Sequence, residues 1–218
     1  MDNAEILWED KSLLLCVKPV GLLSQPSETE EESLLTLLRR DREQVQLVHR
    51  LDRAVGGVMV FSKNSAMTGK LSQLIQQREF HKEYLAVVRG KPQEEGVLKD
   101  LLFRDTAKNK TYVVDRLRKG VREASLEYRL LQTVGEGDEQ KSLVRVRLHT
   151  GRTHQIRVQF ASRGFPLLGD GKYGSRDNHC SIALWSARVA FQHPFRRLPV
   201  EGEKLPPAEY PWNLFTLE

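Results

Sequence analysis

In the stretch SLVRVRLHT, Val144, Val146 and Leu148 alternate with Arg145, Arg147 and His149. A period of two belongs to a strand, with one apolar face to bury and one basic face turned to water. A chain holding such a strand must supply it with sheet neighbours and a cover. AEILWED and SLLLCVKP read as two strands on a tight turn, and GVMVFSK, apolar throughout, as a central strand. EYLAVVRG is a strand closed by glycine, ASLEYRLLQTV joins SLVRVRLHT through the loop GEGDEQK, and SIALWSARVAF is the last strong strand. Residues 91–123 show little pattern beyond a hairpin around TYVVDRL.

Helices are few. SLLTLLRRDRE follows the polar loop GLLSQPSETEEE, and SAMTGKLSQLIQQREF carries Met67, Leu71, Leu74 and Ile75 as one stripe. TGRTHQIRVQFASRG is predicted to be helical from after Gly151 to Gly164, with His154 and Arg157 on one face and Ile156 and Phe160 on another. The expected class is α+β, a largely antiparallel mixed sheet with a few packing helices. With 218 residues and no repeat or Pro/Gly linker, residues 1–218 are expected to form one domain, with room for two subdomains sharing a sheet and a cleft between them.

No apolar run approaches the ~18 residues of a membrane helix, and the acidic start MDNAEILWED lacks a signal peptide's order. The expectation is a cytoplasmic protein without a membrane partner. Cys16 and Cys180 share no spacing motif and read as reduced, structural thiols. The net charge of +5 is unevenly placed. Residues 1–48 hold ten acids and five bases, whereas residues 141–200 hold eleven bases, mostly arginine, and only Asp170 and Asp177 as acids. Arginine suits bidentate phosphate contact, so the pattern fits a nucleic acid partner or a solvated basic face.

Several motifs lead nowhere. LLGDGKYG has the spacing of a dinucleotide loop, but without the flanking strand and helix it reads as a glycine-rich turn. HRLD resembles a kinase catalytic loop in a chain that lacks the other kinase motifs. The histidines and cysteines have no metal-ligand spacing. No serine sits in a nucleophile elbow. There remains LVHRLDRAVGG, which sets Asp52 between Arg50 and Arg53 at the mouth of a buried run. Such a carboxylate is either a structural ion pair or a working group, able to act as a nucleophile or to stabilise an oxocarbenium at a sugar carbon. A second basic constellation, Arg152, His154 and Arg157, lies at a predicted helix start.

Four stretches in order resemble the RluA-type pseudouridine synthases: KPVGLLSQP (18–26), HRLDR (49–53), KEYLAVVRG (82–90) and TGRTHQIRVQFASRGFPLLGDGKYG (150–174). The resemblance implies a pseudouridine synthase catalytic domain that isomerises loop uridines of tRNA or rRNA by base flipping, glycosidic cleavage and rejoining at C5. It implies no cofactor and no metal, because nothing is oxidised or lost, and a monomer is expected. By the same resemblance Asp52 acts at the ribose, Arg157 pairs with it, and Tyr84 stacks on the uracil. Arg50 fills the gap left by the flipped nucleotide, and Arg152 and His154 shape the site or touch phosphate. Three residues in two places depart from the family pattern: Val55-Gly56 stand where Thr-Ser is common, and Gln159 where histidine is usual. The first leaves room for an RNA-binding or ribosome-assembly factor whose chemistry has lapsed. A two-carboxylate glycoside hydrolase would need a second acid, for which Glu79 and Glu83 are the candidates.

Overall fold

A computed structural model describes residues 4–217. The chain divides into two compact units, residues 1–83 with 185–206 and residues 84–184 with 207–218.

The first unit opens with the hairpin β1 (Glu5–Glu9) and β2 (Leu13–Lys18). Its turn is tied by Asp10, whose carboxylate accepts the amides of Ser12 (2.7 Å) and Leu13 (2.8 Å). Helix α1 (Leu34–Arg39) starts at a Ser33–Thr36 capping box and stops short of the predicted RDRE extension. The two-residue β3 (Gln46–Leu47) precedes the HRLDR loop, and β4 (Gly56–Ser62) follows it. β4 is buried along its whole length, as its unbroken apolar run predicts. Helix α2 (Ser65–Gln77) is capped by the Asn64 side chain and buries Met67 and Leu71, with Leu74 and Ile75 packed beside them. The unit closes with β10 (Leu184–Gln192) and a strand beyond the last one read from sequence, β11 (Pro199–Glu203). The order is β1-β2-β4-β10, with β11 on β10 and β3 on β4. β10 lies parallel to β4 through Trp185↔Gly56 and Ser186↔Gly57, while the β1–β2, β2–β4, β3–β4 and β10–β11 pairs are antiparallel.

That parallel pairing explains the double glycine of RAVGG. A Cβ on Gly56 would meet the Trp185 ring at 2.3 Å, and one on Gly57 would meet the Ser186 carbonyl oxygen at 2.2 Å. Gly57 also holds φ 117°, open to glycine alone at little cost.

In the second unit the strands are β5 (His81–Arg89), β6 (Glu95–Asp105), β7 (Lys110–Val114), β8 (Val121–Val134) and β9 (Lys141–Leu148), in the order β5-β9-β8-β6-β7. On β9, Val144 and Val146 are buried and Arg145 and Arg147 exposed, as the alternation requires. The eleven-residue β6 had no legible signal because it buries only Leu98 and Leu102, four residues apart, with Lys99 and Asp100 between them. The TYVV segment is the returning arm of a β6–β7 hairpin.

Helix α3 (Gln155–Ala161) begins later than predicted. The Gln155 side chain is the reason. Its Oε1 accepts from the Thr150 hydroxyl (2.7 Å) and the Arg152 amide (3.0 Å), while its amide nitrogen donates to the Ser125 carbonyl (3.0 Å). Residues 150–154 are thereby folded onto β8 as a turn, and His154 sits outside the helix at φ 54°. The expected His154–Arg157 helix face therefore does not exist. The α+β class, with its mixed pairing and few helices, stands. No helix among the described residues is long and apolar enough to cross a membrane.

Candidate active site

In the first unit two sequence motifs meet at Asp52. The Ser24 hydroxyl donates to the Leu51 carbonyl (2.9 Å) and accepts the Leu51 amide (3.1 Å). On the other flank the Arg53 carbonyl accepts from the Gly21 amide (2.9 Å) and the Lys18 ammonium (3.2 Å), and the Arg53 side chain donates back to the Gly21 carbonyl (2.9 Å). The loop then turns through a bond from the Val55 amide to the Asp52 carbonyl (3.0 Å). The segment 18–26 thus clamps the residue before Asp52 and the residue after it. Asp52 itself is half-buried, and Arg50 is exposed.

Lys18 went unassigned at the sequence level. It is fully buried, and its ammonium donates to the carbonyls of Leu22 (2.6 Å), Pro19 (2.9 Å) and Arg53. Burial drags its pKa down to about 8, opposed by the nearby Asp52 carboxylate. Its signal in the sequence was a lysine ending an otherwise apolar strand. His49 packs edge-on against Phe80, and its Nε2 accepts the Val60 amide (3.1 Å). Desolvation, and then Lys82, push its pKa down to about 3, so the ring is a neutral structural acceptor.

The second unit carries Tyr84, Arg152, His154 and Arg157. Tyr84 is buried on β5. Arg157 and Asp170 are 4 % and 1 % exposed and form a forked pair, Nε to Oδ2 at 2.7 Å and Nη2 to Oδ1 at 2.9 Å. Asp170 was not predicted. It stands in LLGDGKYG, whose glycine pattern finds its use here: a Cβ on Gly169, at φ 73°, would strike the Ser181 carbonyl oxygen at 2.4 Å. The turn brings a carboxylate to Arg157 instead of cradling a phosphate.

The Arg157 guanidinium also lies 5.1 Å from the centre of the Tyr173 ring. The Tyr173 hydroxyl accepts the Thr111 amide (2.8 Å) and hydrogen-bonds with His154 Nδ1 (2.9 Å), while Lys110 Nζ lies 5.4 Å from the ring centre. Tyr173 therefore joins the β6–β7 hairpin to the start of α3. Arg152 is exposed, and its Nε donates to the Glu123 carbonyl (3.0 Å). Gln159 is fully buried, and its side-chain amide donates to Asp100 Oδ2 (2.7 Å), which Arg163 also holds (2.9 Å). It ties α3 to β6.

Other nucleophiles and acids fall away on chemistry. Burial pushes Cys16 up to about 12 and Cys180 to about 11, so neither presents a thiolate. Glu83 is held by Arg188 at 3.0 Å, and Glu79 is an exposed residue at the end of α2. Of the two acids in the basic segment, Asp170 holds Arg157 and Asp177 accepts from the Tyr210 hydroxyl and the His179 amide. The exposed charge there is consequently almost all arginine and lysine.

The family model described as RNA pseudouridylate synthase matches residues 12–162. An uncharacterized RNA pseudouridine synthase of Aquifex aeolicus is 35% identical over 98% of this chain and 68% of its own length. The dual-specificity RNA pseudouridine synthases RluA of Vibrio vulnificus and Escherichia coli K12 are 32% and 34% identical, over 94% and 87% of this chain and 86% and 87% of theirs. Among solved structures, the human RNA pseudouridylate synthase domain containing 1 superposes with a TM-score of 0.78 at 21% identity, covering 96% of this chain and 86% of its own. The human domain containing 4 gives 0.73 at 23%, covering 93% and 88%. With the two clamped motifs and the arginine seat in place, the chain belongs to the RluA-type RNA pseudouridine synthases, isomerases that act on RNA.

Proposed function

We propose that this isomerase converts loop uridines of tRNA or rRNA to pseudouridine, with Asp52 acting at the ribose of a flipped nucleotide. The observation that carries the reading is the clamp on Leu51 and Arg53, which fixes the backbone on both sides of Asp52. The glycosidic bond between C1′ and N1 breaks, the base turns, C1′ joins C5, and the C5 proton leaves to solvent while N1 is protonated. One oriented carboxylate at the sugar suffices for the bond exchange.

In this reading Arg157 is the partner of Asp52. Asp170 seats that arginine on one side and the Tyr173 ring on another. Tyr84 stacks on the uracil, and Arg50, exposed beside the clamp, takes the place of the flipped base. Arg152 and His154 serve phosphate contact and shape. Extruding a base costs a few kcal/mol, least in loops, and the exposed bases of residues 141–200 bind the phosphates that offset it.

The alternative of a lapsed assembly factor rested on Val55-Gly56. The Trp185 ring occupies the space of a residue-56 side chain, so the packing of β10 on β4 accounts for the glycine at 56. Release of tritium from uracil C5 in tRNA and rRNA transcripts tests the proposal. Release from one class identifies the substrate, and release from neither overturns the assignment to these RNAs.

A further inference from the structure

The turn between β10 and β11, residues 193–198, stands at the end of β4 away from Asp52. β4 leads from the Asp52 loop through seven residues to Ser62, about 20 Å at strand rise. The next residue, Lys63, donates its amide to the Ser12 carbonyl (2.8 Å) and its ammonium to the Asp10 carbonyl (2.9 Å). Asp10 in turn faces His193, with Oδ2 3.3 Å from Nε2.

The turn is firmly built. His193 is 3 % exposed, and its Nδ1 accepts the amides of Phe195 (3.2 Å) and Arg196 (3.1 Å). Its own amide donates to the Leu198 carbonyl (2.7 Å), and the Arg197 amide donates to the His193 carbonyl (2.9 Å). Asp10 Oδ2 also lies 3.4 Å from Arg196 Nη1. This frame projects Phe195, 57 % exposed, and Leu198, 56 % exposed, on either side of two arginines. Arg197 holds a left-handed φ of 55°, where glycine or asparagine is the ordinary choice. A turn needed only to reverse the chain would carry neither the strained arginine nor the bare aromatic.

We propose that Phe195, Arg196, Arg197 and Leu198 form a second RNA contact, a stacking platform for a single-stranded segment flanking the target uridine. A phenyl face accepts any base, and paired guanidinium groups suit the adjoining phosphates. A strand stacked as in a duplex, at about 3.4 Å per nucleotide, covers the 20 Å of β4 in roughly six nucleotides, and an extended strand needs fewer, so the contact engages RNA that runs that far from the flipped base. The inference rests on the RNA reading of the Asp52 site.

The test measures binding of single-stranded uridine-containing RNA, 3 and 20 nucleotides long, across a salt series. The wild type is compared with Phe195→Ser, Arg196→Ser/Arg197→Ser and Arg197→Gly. For the 20-mer, Phe195→Ser is expected to weaken binding about ten-fold, and the double arginine variant to flatten the log–log salt slope by about 1.4. The 3-mer, too short to span β4, is expected to bind all variants alike. Arg197→Gly relieves the left-handed strain, so it is expected to keep or raise the urea midpoint while weakening the 20-mer. Equal 20-mer affinity in wild type and variants overturns the platform and leaves the Asp52 site intact. Failure of the wild type to bind either RNA overturns the platform, whereas tritium release from tRNA or rRNA decides the Asp52 reading separately.

Discussion

Three carbonyl oxygens converge on the ammonium of Lys18, and that convergence gives the site a pH dependence. The charged form has three protons for three acceptors, whereas the neutral amine has two. Because the folded pKa is about 8 and the ordinary value 10.5, the folded chain releases this proton first as pH rises. Burial of the charged form costs stability below pH 8, and the cost lifts between pH 8 and 10.5. The loop that carries Asp52 loses a donor over the same window. Single-turnover rates are therefore expected to fall above pH 8 while the urea midpoint holds or rises. In Lys18→Met the rate is lower and this alkaline limb is gone. A wild-type rate that stays flat to pH 10 would contradict the role. At Arg157 the buried fork with Asp170 sets a different expectation. Asp170→Ala leaves a buried guanidinium short of its carboxylate and is expected to cost about 3–5 kcal/mol in urea unfolding. A cost below about 1 kcal/mol would show that the arginine is seated by other groups.

Among the elements, the β4–β10 pairing and the start of α3 hold the backbone next to Asp52 and Arg157. Gly57→Ala drives a methyl into the Ser186 backbone at a positive φ, and is expected to destabilise the chain by about 2 kcal/mol or more. A neutral result would contradict the close approach of the two strands. Tyr173→Phe removes the hydroxyl that meets Thr111 and His154, and is expected to cost about 1–2 kcal/mol. An unchanged urea midpoint would contradict that link. Sequence legibility divides along the same line. β2, β4, β9 and α2 could be read because each writes its signal, an apolar run or a single periodicity, into its own residues. β6 could not, because its two buried leucines are separated by charged residues whose partners lie on other elements: Asp100 answers to Arg163 and Gln159, sixty residues onward. The α3 boundary was missed for a related reason, since Gln155 folds the preceding turn onto Ser125 and no local pattern reports such a capture. Asp52 stood out as a charge at the mouth of an apolar run and Arg157 as one of a basic cluster, whereas Asp170 was hidden in a glycine pattern with a more familiar use.

Across the whole molecule the charge is polarised along the chain, and the two acids of the basic segment are spent on internal partners. The arginines exposed there set the expected response to salt. RNA affinity should fall linearly on a log–log plot, with a slope near −0.7 for each phosphate neutralised on a single strand. A slope near zero would contradict a phosphate-driven encounter. The account as a whole turns on Asp52 as the working group of a uridine isomerase. The most direct measurement follows tritium release from uracil C5 by wild type and Asp52→Asn, with RNA binding measured on the same preparations. The expected result is release by the wild type, a loss on the order of 10³-fold or more in the variant, and RNA affinity retained. Turnover by Asp52→Asn at a rate near that of the wild type would contradict it.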